Sequence, residues 1–116
     1  MLSHKRDHYC GLLTREMAGQ TVHLSGWVQR TRDLGGVVFV WLRDREGLVQ
    51  LVFDSADCSP EMLALAQSLR SEYVVTVLGD VRLRDESAIN HDMKTGEIEV
   101  VVRDAVLLNK SETPPI

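Results

Sequence analysis

One stretch of the chain predicts most of its fold: Gly26-Trp27-Val28-Gln29-Arg30-Thr31-Arg32-Asp33-Leu34-Gly35-Gly36-Val37-Val38-Phe39-Val40-Trp41-Leu42-Arg43-Asp44. Side chains of an extended strand alternate between two faces. The second half of the stretch therefore has two apolar rows: Val38, Val40 and Leu42 on one face, and Val37, Phe39 and Trp41 on the other. We expect one row to be core and the other to present flat rings. Flat rings beside guanidinium groups suit the stacking of unpaired bases.

The composition sets the class of protein. A chain of 116 residues, 44% hydrophobic and 26% charged, is of the size and balance of one globular domain. The net charge of -4 argues against gripping duplex nucleic acid by charge alone, so a nucleic-acid site must be a local patch. Cys10 and Cys58 form no paired motif, which favours a reducing, cytoplasmic setting. The sequence predicts no membrane span and no secretory signal.

Hydrophobic alternation predicts strands at residues 21–29, 37–44, 48–53, 73–83 and 98–102, the last extending through 108. In the fourth strand, Val81 and Leu83 are expected to face inward. Ser59-Pro60-Glu61 begins a helix, predicted over 59–71, between the third and fourth strands. Gly26 in mid-strand indicates a bulge or sharp bend. Residues 1–19 are expected to form an arm, 20–110 the domain, and 111–116 the start of a linker.

Three strands, a helix and two more strands are the order of an OB-fold, a five-stranded Greek-key barrel that commonly binds oligonucleotides. The predicted class is therefore all-β with one helix. An open five-stranded sheet packed on a helix is the rival architecture.

Candidate binding residues converge on the outer face of the first strands. Arg30 and Arg32 point the same way if their strand continues, and Phe39 and Trp41 share a face. Gln50 carries an amide that can read a base edge, and Arg82 projects from the fourth strand. The alternatives are a small satellite hydrophobic cluster or a partner interface for the rings, and solvated strand-edge charges for the arginines.

Further motifs follow in the same order along the chain: Arg45-Glu46-Gly47-Leu48-Val49-Gln50, Arg70-Ser71-Glu72-Tyr73, Gly79-Asp80-Val81-Arg82-Leu83-Arg84, Asn90, Thr95-Gly96-Glu97-Ile98-Glu99-Val100 and Leu107-Leu108-Asn109-Lys110-Ser111, with Tyr9-Cys10-Gly11 before them. With the opening stretch, they resemble the N-terminal anticodon-binding domain of bacterial-type aspartyl-tRNA synthetases, which are class IIb enzymes. The resemblance covers roughly residues 9 to 116.

The resemblance implies roles for individual residues. Phe39 falls where the family stacks an aromatic ring on the central anticodon uracil, and Gln50 where a glutamine hydrogen-bonds that base. Arg32 matches an arginine near the same base and its phosphate, with Arg30 in the same basic segment. Arg82 and Asn90 fall in regions that the family uses near the other anticodon bases.

Two departures from the family stand close to this site. Trp41 replaces the usual aspartate, either widening the stacking platform or packing against a neighbour. Thr31 replaces a commonly basic residue. Leu34 resembles the type that is specific for tRNA-Asp, where members that also charge tRNA-Asn often carry histidine.

The resemblance also implies what lies outside this chain. ATP, Mg²⁺ and L-aspartate would bind a separate catalytic domain of a full-length enzyme, which is expected to be a homodimer. We therefore expect no cofactor, no metal and no aminoacylation by this chain alone, as for an excised domain.

Two other function classes remain open. The Phe39 and Trp41 face could serve as a protein-interaction or dimerisation module, which the net acidic charge favours. A small enzyme in its own right is the weakest hypothesis, because no nucleophile–base pair or metal cluster is visible. His4, His8 and Cys10 lack a helical pattern and a second cluster, and Cys58 lacks a partner histidine.

Overall fold

The computed structural model describes residues 7–110, so the predicted linker at 111–116 and His4 lie outside the described residues. The elements are two 3₁₀ helices, Cys10–Leu12 and Arg15–Met17, then β1 (Thr21–Asp33), β2 (Val37–Asp44), β3 (Gly47–Asp54), α1 (Pro60–Ser68), β4 (Val74–Leu83), a 3₁₀ helix Glu86–Ala88, and β5 (Ile98–Asn109). None of the helices within this range is long and apolar enough to cross a bilayer.

The strands close into a barrel in the order β1-β2-β3-β5-β4, with β4 pairing back to β1. Neighbours are antiparallel except β3 and β5, which pair in parallel. The five-stranded OB-type barrel with one helix between β3 and β4 is confirmed, and the open sheet is wrong. Closure pairs the outermost strands, so the barrel has no open edge.

One side of every strand fills the barrel, as the alternation predicts. The fully buried side chains include Val22, Leu24, Val28, Val38, Val40, Leu42, Val49, Leu51, Phe53, Val75, Val77, Val100 and Val102. Burial of this apolar surface is the main stabilising contribution to the fold. The described part of the predicted arm joins the same core, because Cys10 and Leu13 are buried in it.

Helix α1 packs against β2, β3 and β5. The Ser59 side chain accepts a hydrogen bond from the Met62 amide at 3.2 Å, with proline at the first helical position, as expected for this N-terminus. The helix ends at Ser68, three residues before the predicted end. Leu69 takes an extended backbone there, and its side chain is still buried in the core.

Strands β1 and β5 each contain a β-bulge. The bulge in β1 does not lie at Gly26, where the sequence predicts a bulge or sharp bend. The register between β1 and β2 shifts between Val28 and Arg30, which makes Gln29 the extra residue of a bulge. Gly26 itself is regularly paired with Val75. It is required for another reason: a Cβ there would lie 2.3 Å from the carbonyl oxygen of Arg43. Of the bulge or sharp bend predicted at Gly26, the bulge is therefore wrong.

The ends of β4 and β5 also depart from simple alternation. Leu83 is 45% exposed, so its predicted inward position is wrong, whereas Val81 is buried. The β4–β5 register shifts at the step from Val102 to Asp104, leaving Arg103 as the extra residue. Because of this extra residue, the next side chain of β5 that faces the core is Ala105, whereas Val106 is exposed.

The close approach at Gly26 gives a stability prediction. Gly26→Ala forces the β1 and β2 backbones apart, and we expect it to lower the free energy of unfolding by about 1–3 kcal/mol, as overpacking typically does. Urea unfolding followed by circular dichroism measures the change.

The matched control is Gly36→Ala, where the nearest atom to a new Cβ is the Ser55 hydroxyl at 3.5 Å. This variant should stay within about 0.5 kcal/mol of the parent chain. Equal effects of the two substitutions would contradict the assigned close approach.

Candidate nucleic-acid interface

The bulge at Gln29 decides which way the β1 arginines point. Val28 faces the core, and in a regular strand Arg30 would follow it inward. Because Gln29 is an extra residue, Arg30 pairs with Trp41 and Arg32 pairs with Phe39 on the outer face instead. The bulge therefore places both guanidinium groups beside the rings.

The pairing continues across the sheet into β3. Trp41 pairs with Gln50, and Phe39 pairs with Val52. Directly paired residues share a face, so two cross-strand rows result: Arg30–Trp41–Gln50 and Arg32–Phe39–Val52.

These rows form one side of a groove of about 400 Å³. Its lining consists of Arg32, Val37, Phe39, Trp41, Gln50, Val52, Asp54, Arg82, Arg84, Asp85, Ala88 and Glu99. Five of the seven predicted site residues therefore meet in one concavity. Arg30 lies at its margin, with its Cζ 4.3 Å from the centre of the Trp41 ring.

The two rings present separate surfaces. The Phe39 and Trp41 centroids are 6.4 Å apart, and their planes are inclined by 41°. Both side chains are half-buried, so each keeps ring surface open to the groove. No carboxylate pairs with Arg30 or Arg32 among residues 7–110, which leaves both cations available to an anion.

Glu99 links three strands at the floor of the groove. Its Oε1 accepts a hydrogen bond from Gln50 Nε2 at 3.0 Å. Its Oε2 accepts from Arg82 Nε at 3.0 Å and Nη2 at 2.7 Å. The Gln50 amide is thereby oriented with its nitrogen toward Glu99, and its oxygen remains as an acceptor. The charge of Arg82 is partly balanced by the same carboxylate.

Asn90 lies outside the groove lining. Its side-chain oxygen accepts a hydrogen bond from the Asp92 amide at 3.0 Å, and its backbone N–H donates to the Gly96 carbonyl at 3.1 Å. These bonds shape the loop between β4 and β5. The binding role of Asn90 stays a prediction.

Glu99 and Arg84 were missed by sequence reasoning. Arg84 is 8% exposed, and it donates to the carbonyls of Ile98 at 2.9 Å and Ala88 at 3.3 Å, which ties the β4–β5 loop to the groove. Burial lowers the pKa of Arg84, while the charge of Glu99 opposes that shift. Arg84 lies one residue beyond the end of β4 and is buried although Arg82 is exposed, so strand alternation could not have found it. Glu99 carried no signal either, since its contacts depend on the pairing of distant strands.

The fold assembles neither a metal site within residues 7–110 nor an activated thiol at Cys58. Within residues 7–110, no three His, Cys, Asp or Glu side chains gather as a metal site would require. The helix start does not activate the Cys58 thiol, because burial, Asp54 and Asp57 all raise its pKa.

The barrel and its groove fit a known class of domain. A family model described as "OB-fold nucleic acid binding domain", of the tRNA anticodon type, matches residues 22–108. The chain belongs to this family.

Among curated proteins, the chain is similar to aspartate–tRNA ligases. The chain is 54% identical over 110 residues to an aspartate–tRNA ligase from Macrococcus caseolyticus, which is 95% of this chain and 18% of that protein. It is 55% identical over 111 residues to the aspartate–tRNA ligase of Staphylococcus haemolyticus, covering 96% of this chain and 19% of that protein. The chain thus spans about a fifth of the length of the curated relatives it matches.

Solved structures agree on the fold. Asparaginyl-tRNA synthetase from Pyrococcus horikoshii, complexed with asparaginyl-adenylate, matches 97% of this chain with 24% of its own, at 30% identity and a TM-score of 0.77. The OBody AM3L15, bound to hen egg-white lysozyme, matches over 99% of both chains at 27% identity and a TM-score of 0.82.

The hydrogen bonds of Glu99 to Gln50 and Arg82 give a second prediction. Glu99→Gln removes the charge that Arg82 pairs with and one acceptor of a side chain only 13% exposed. We expect the free energy of unfolding to fall by about 1–3 kcal/mol, the usual range for hydrogen bonds to charged groups. The NMR signals of the Gln50 side-chain amide should shift as well.

Glu97→Gln is the control, because its ion pair with Arg15 joins two side chains that are both more than half exposed. Exposed pairs contribute at most about 1 kcal/mol. If Glu99→Gln costs no more than the control and leaves the Gln50 signals in place, Glu99 does not organise the groove.

Proposed function

We propose that this chain recognises the anticodon of tRNA-Asp, as the tRNA-binding domain of an aspartate–tRNA ligase. The observation that carries the proposal is the meeting of Phe39, Gln50 and Arg32 in one groove of an OB-fold nucleic acid binding domain. The identity of 54–55% to aspartate–tRNA ligases supports the choice of tRNA.

The chemistry of the groove suits an unpaired uracil. Phe39 offers a flat face on which a base can stack, and stacking of this kind is sequence-tolerant by itself. Selectivity comes from Gln50, whose free amide oxygen can accept a hydrogen bond from the N3–H of uracil. Cytosine presents an acceptor at that position, so it would leave the Gln50 oxygen without a donor.

The arginines at the groove have two different proposed roles, phosphate binding and support of the groove. Arg32 and Arg30 are the candidates for phosphate contacts, because neither pairs with a carboxylate within residues 7–110. Arg82 is bound to Glu99 and supports the wall of the groove. Asn90, in the loop beyond β4, is proposed only as a contact to the outer anticodon bases.

The longer protein would supply the rest of the activity. We propose that it couples L-aspartate to tRNA-Asp with ATP and Mg²⁺ in a catalytic domain outside this chain, that it is a homodimer, and that it works in the cytoplasm. The aspartate–tRNA ligase relatives, about five times longer than the matched segment, support this division.

The stacking assignment is tested with an anticodon stem-loop of tRNA-Asp at low salt. Phe39→Ala should weaken binding by about 5- to 150-fold, corresponding to roughly 1–3 kcal/mol for one stacked base. Phe39→Leu keeps an apolar side chain without a flat ring, and it should lose nearly as much. Thermal unfolding of both variants checks that the barrel is intact, and normal binding by folded Phe39→Ala would overturn the assignment.

The phosphate assignment is tested by salt dependence. Arg32→Gln should reduce the slope of log K against log salt by about 1, as expected for the loss of one phosphate contact. Arg103→Gln is the control, because Arg103 pairs with Asp80 at 2.7 Å and lies outside the groove lining. An unchanged slope for Arg32→Gln would remove Arg32 from the interface.

A second candidate function is a protein-interaction module built on the Phe39 and Trp41 face. The likeness to an OBody bound to lysozyme favours it, since that barrel of similar shape holds a protein. Salt separates the two functions: tRNA binding weakens steeply as salt rises, whereas association through an apolar face persists.

A further inference from the structure

We propose that Trp41, held by Arg30, is a second base-stacking site that takes a nucleotide flanking the one on Phe39. The inference rests on the proposed function, because the central base on Phe39 sets the register of the loop. It adds a second, separately occupied position to the groove.

An arginine pairs with an aromatic ring twice on this face. Arg32 lies directly opposite Phe39, and Arg30 lies directly opposite Trp41, both across the β1–β2 ladder. The bulge at Gln29 places both pairs on the outer face. The unit proposed to hold one nucleotide therefore occurs twice, two residues apart along β2.

The two rings are placed to hold two separate bases. Their spacing of 6.4 Å is close to the advance of about 6.6 Å made by two residues of a strand. One base sandwiched between two rings needs parallel planes, and an inclination of 41° prevents that arrangement. Two rings that each hold a separate base match the way sheet aromatics in RNA-binding modules stack successive bases.

Trp41 does not pack on the barrel core. Trp41 belongs neither to the hydrophobic core nor to the partly buried side chains that pack on it. Its cross-strand neighbours are Arg30 and Gln50, both polar. The indole is half-buried and lines the groove, so core packing does not account for it.

Arg30 has a defined part in this second site. Its guanidinium carbon stands 4.3 Å from the Trp41 ring centre, a cation–π distance that fixes the orientation of the indole. Its side chain is exposed, and no carboxylate within residues 7–110 pairs with it. The cation can therefore meet the phosphate beside the second base from its position over the ring, and the base would stack on the ring surface that Arg30 leaves open.

The test is a cycle between protein variants and single abasic positions. Trp41→Ala, Phe39→Ala and the parent chain are each titrated with four anticodon stem-loops of tRNA-Asp: one intact, and three with one anticodon base removed. Trp41→Ala should weaken binding of the intact loop by about 5- to 150-fold. That loss should vanish when one flanking base is absent and persist when the central base is absent.

Each outcome decides a separate point. A loss from Trp41→Ala that is the same for all four loops, or that vanishes only without the central base, overturns the second site. Normal binding by Trp41→Ala, with a loss for Phe39→Ala, also overturns it and leaves the proposed function standing. Normal binding by both variants overturns both stacking assignments, and failure of the parent chain to bind the intact loop overturns the proposed function itself.

Two further variants make the readout specific. Trp27→Phe leaves Trp41 as the single tryptophan of the chain, and Trp27 lies outside the groove lining. In this variant, the fluorescence of Trp41 should change when the intact loop binds and should not change when the bound loop lacks the assigned flanking base. Arg30→Lys keeps the positive charge and loses the planar guanidinium. It should therefore weaken binding of the intact loop less than Trp41→Ala does.

Discussion

The extra residue at Gln29 is the constraint on which the binding face depends. Up to Val28, the even-numbered residues of β1 fill the barrel, and an unbroken strand would carry Arg30 and Arg32 into that apolar interior. Burying an unpaired guanidinium is far more costly than losing one regular ladder position. The bulge moves both cations to the outer face, opposite Trp41 and Phe39. One inserted residue thus keeps the core apolar and assembles the candidate site.

Glu99 is one of three carboxylates that line the groove of this chain of net charge -4, and its charge is bound by the neighbouring side chains of the groove. The carboxylate is nearly buried and bound to Gln50 and Arg82, so it acts on the orientation of its neighbours more than as an exposed negative charge. The cations proposed for phosphate are the two β1 arginines at the other side of the groove. Orientation and attraction are therefore assigned to different residues, and affinity from this surface alone should depend strongly on salt.

The barrel fold accounts for the shape of the binding surface, and the side chains on it account for the proposed ligand. Membership of the OB-fold nucleic acid binding family covers residues 22–108 and accounts for the barrel. The barrel alone does not select a ligand, because a neighbour of the same shape is bound to lysozyme. The proposal of an RNA ligand rests on the paired arginines and rings, and the proposal of a uracil rests on one oriented amide. These side chains lie outside the barrel core, so single substitutions can test each of them.

The sequence by itself determined the five strands, the single helix with its Ser59 cap, the apolar row of β2, and the resemblance to an anticodon-binding domain. All of these follow from local alternation, capping and motif order. Tertiary structure alone decided the bulge at Gln29, the exposure of Leu83 and the contact of Glu99 with Gln50. It also decided that Asn90 shapes a loop outside the groove. The physical reason is register: alternation fixes which residues share a face within one regular strand, whereas the partners of a residue depend on distant strands and on single inserted residues that reverse the alternation.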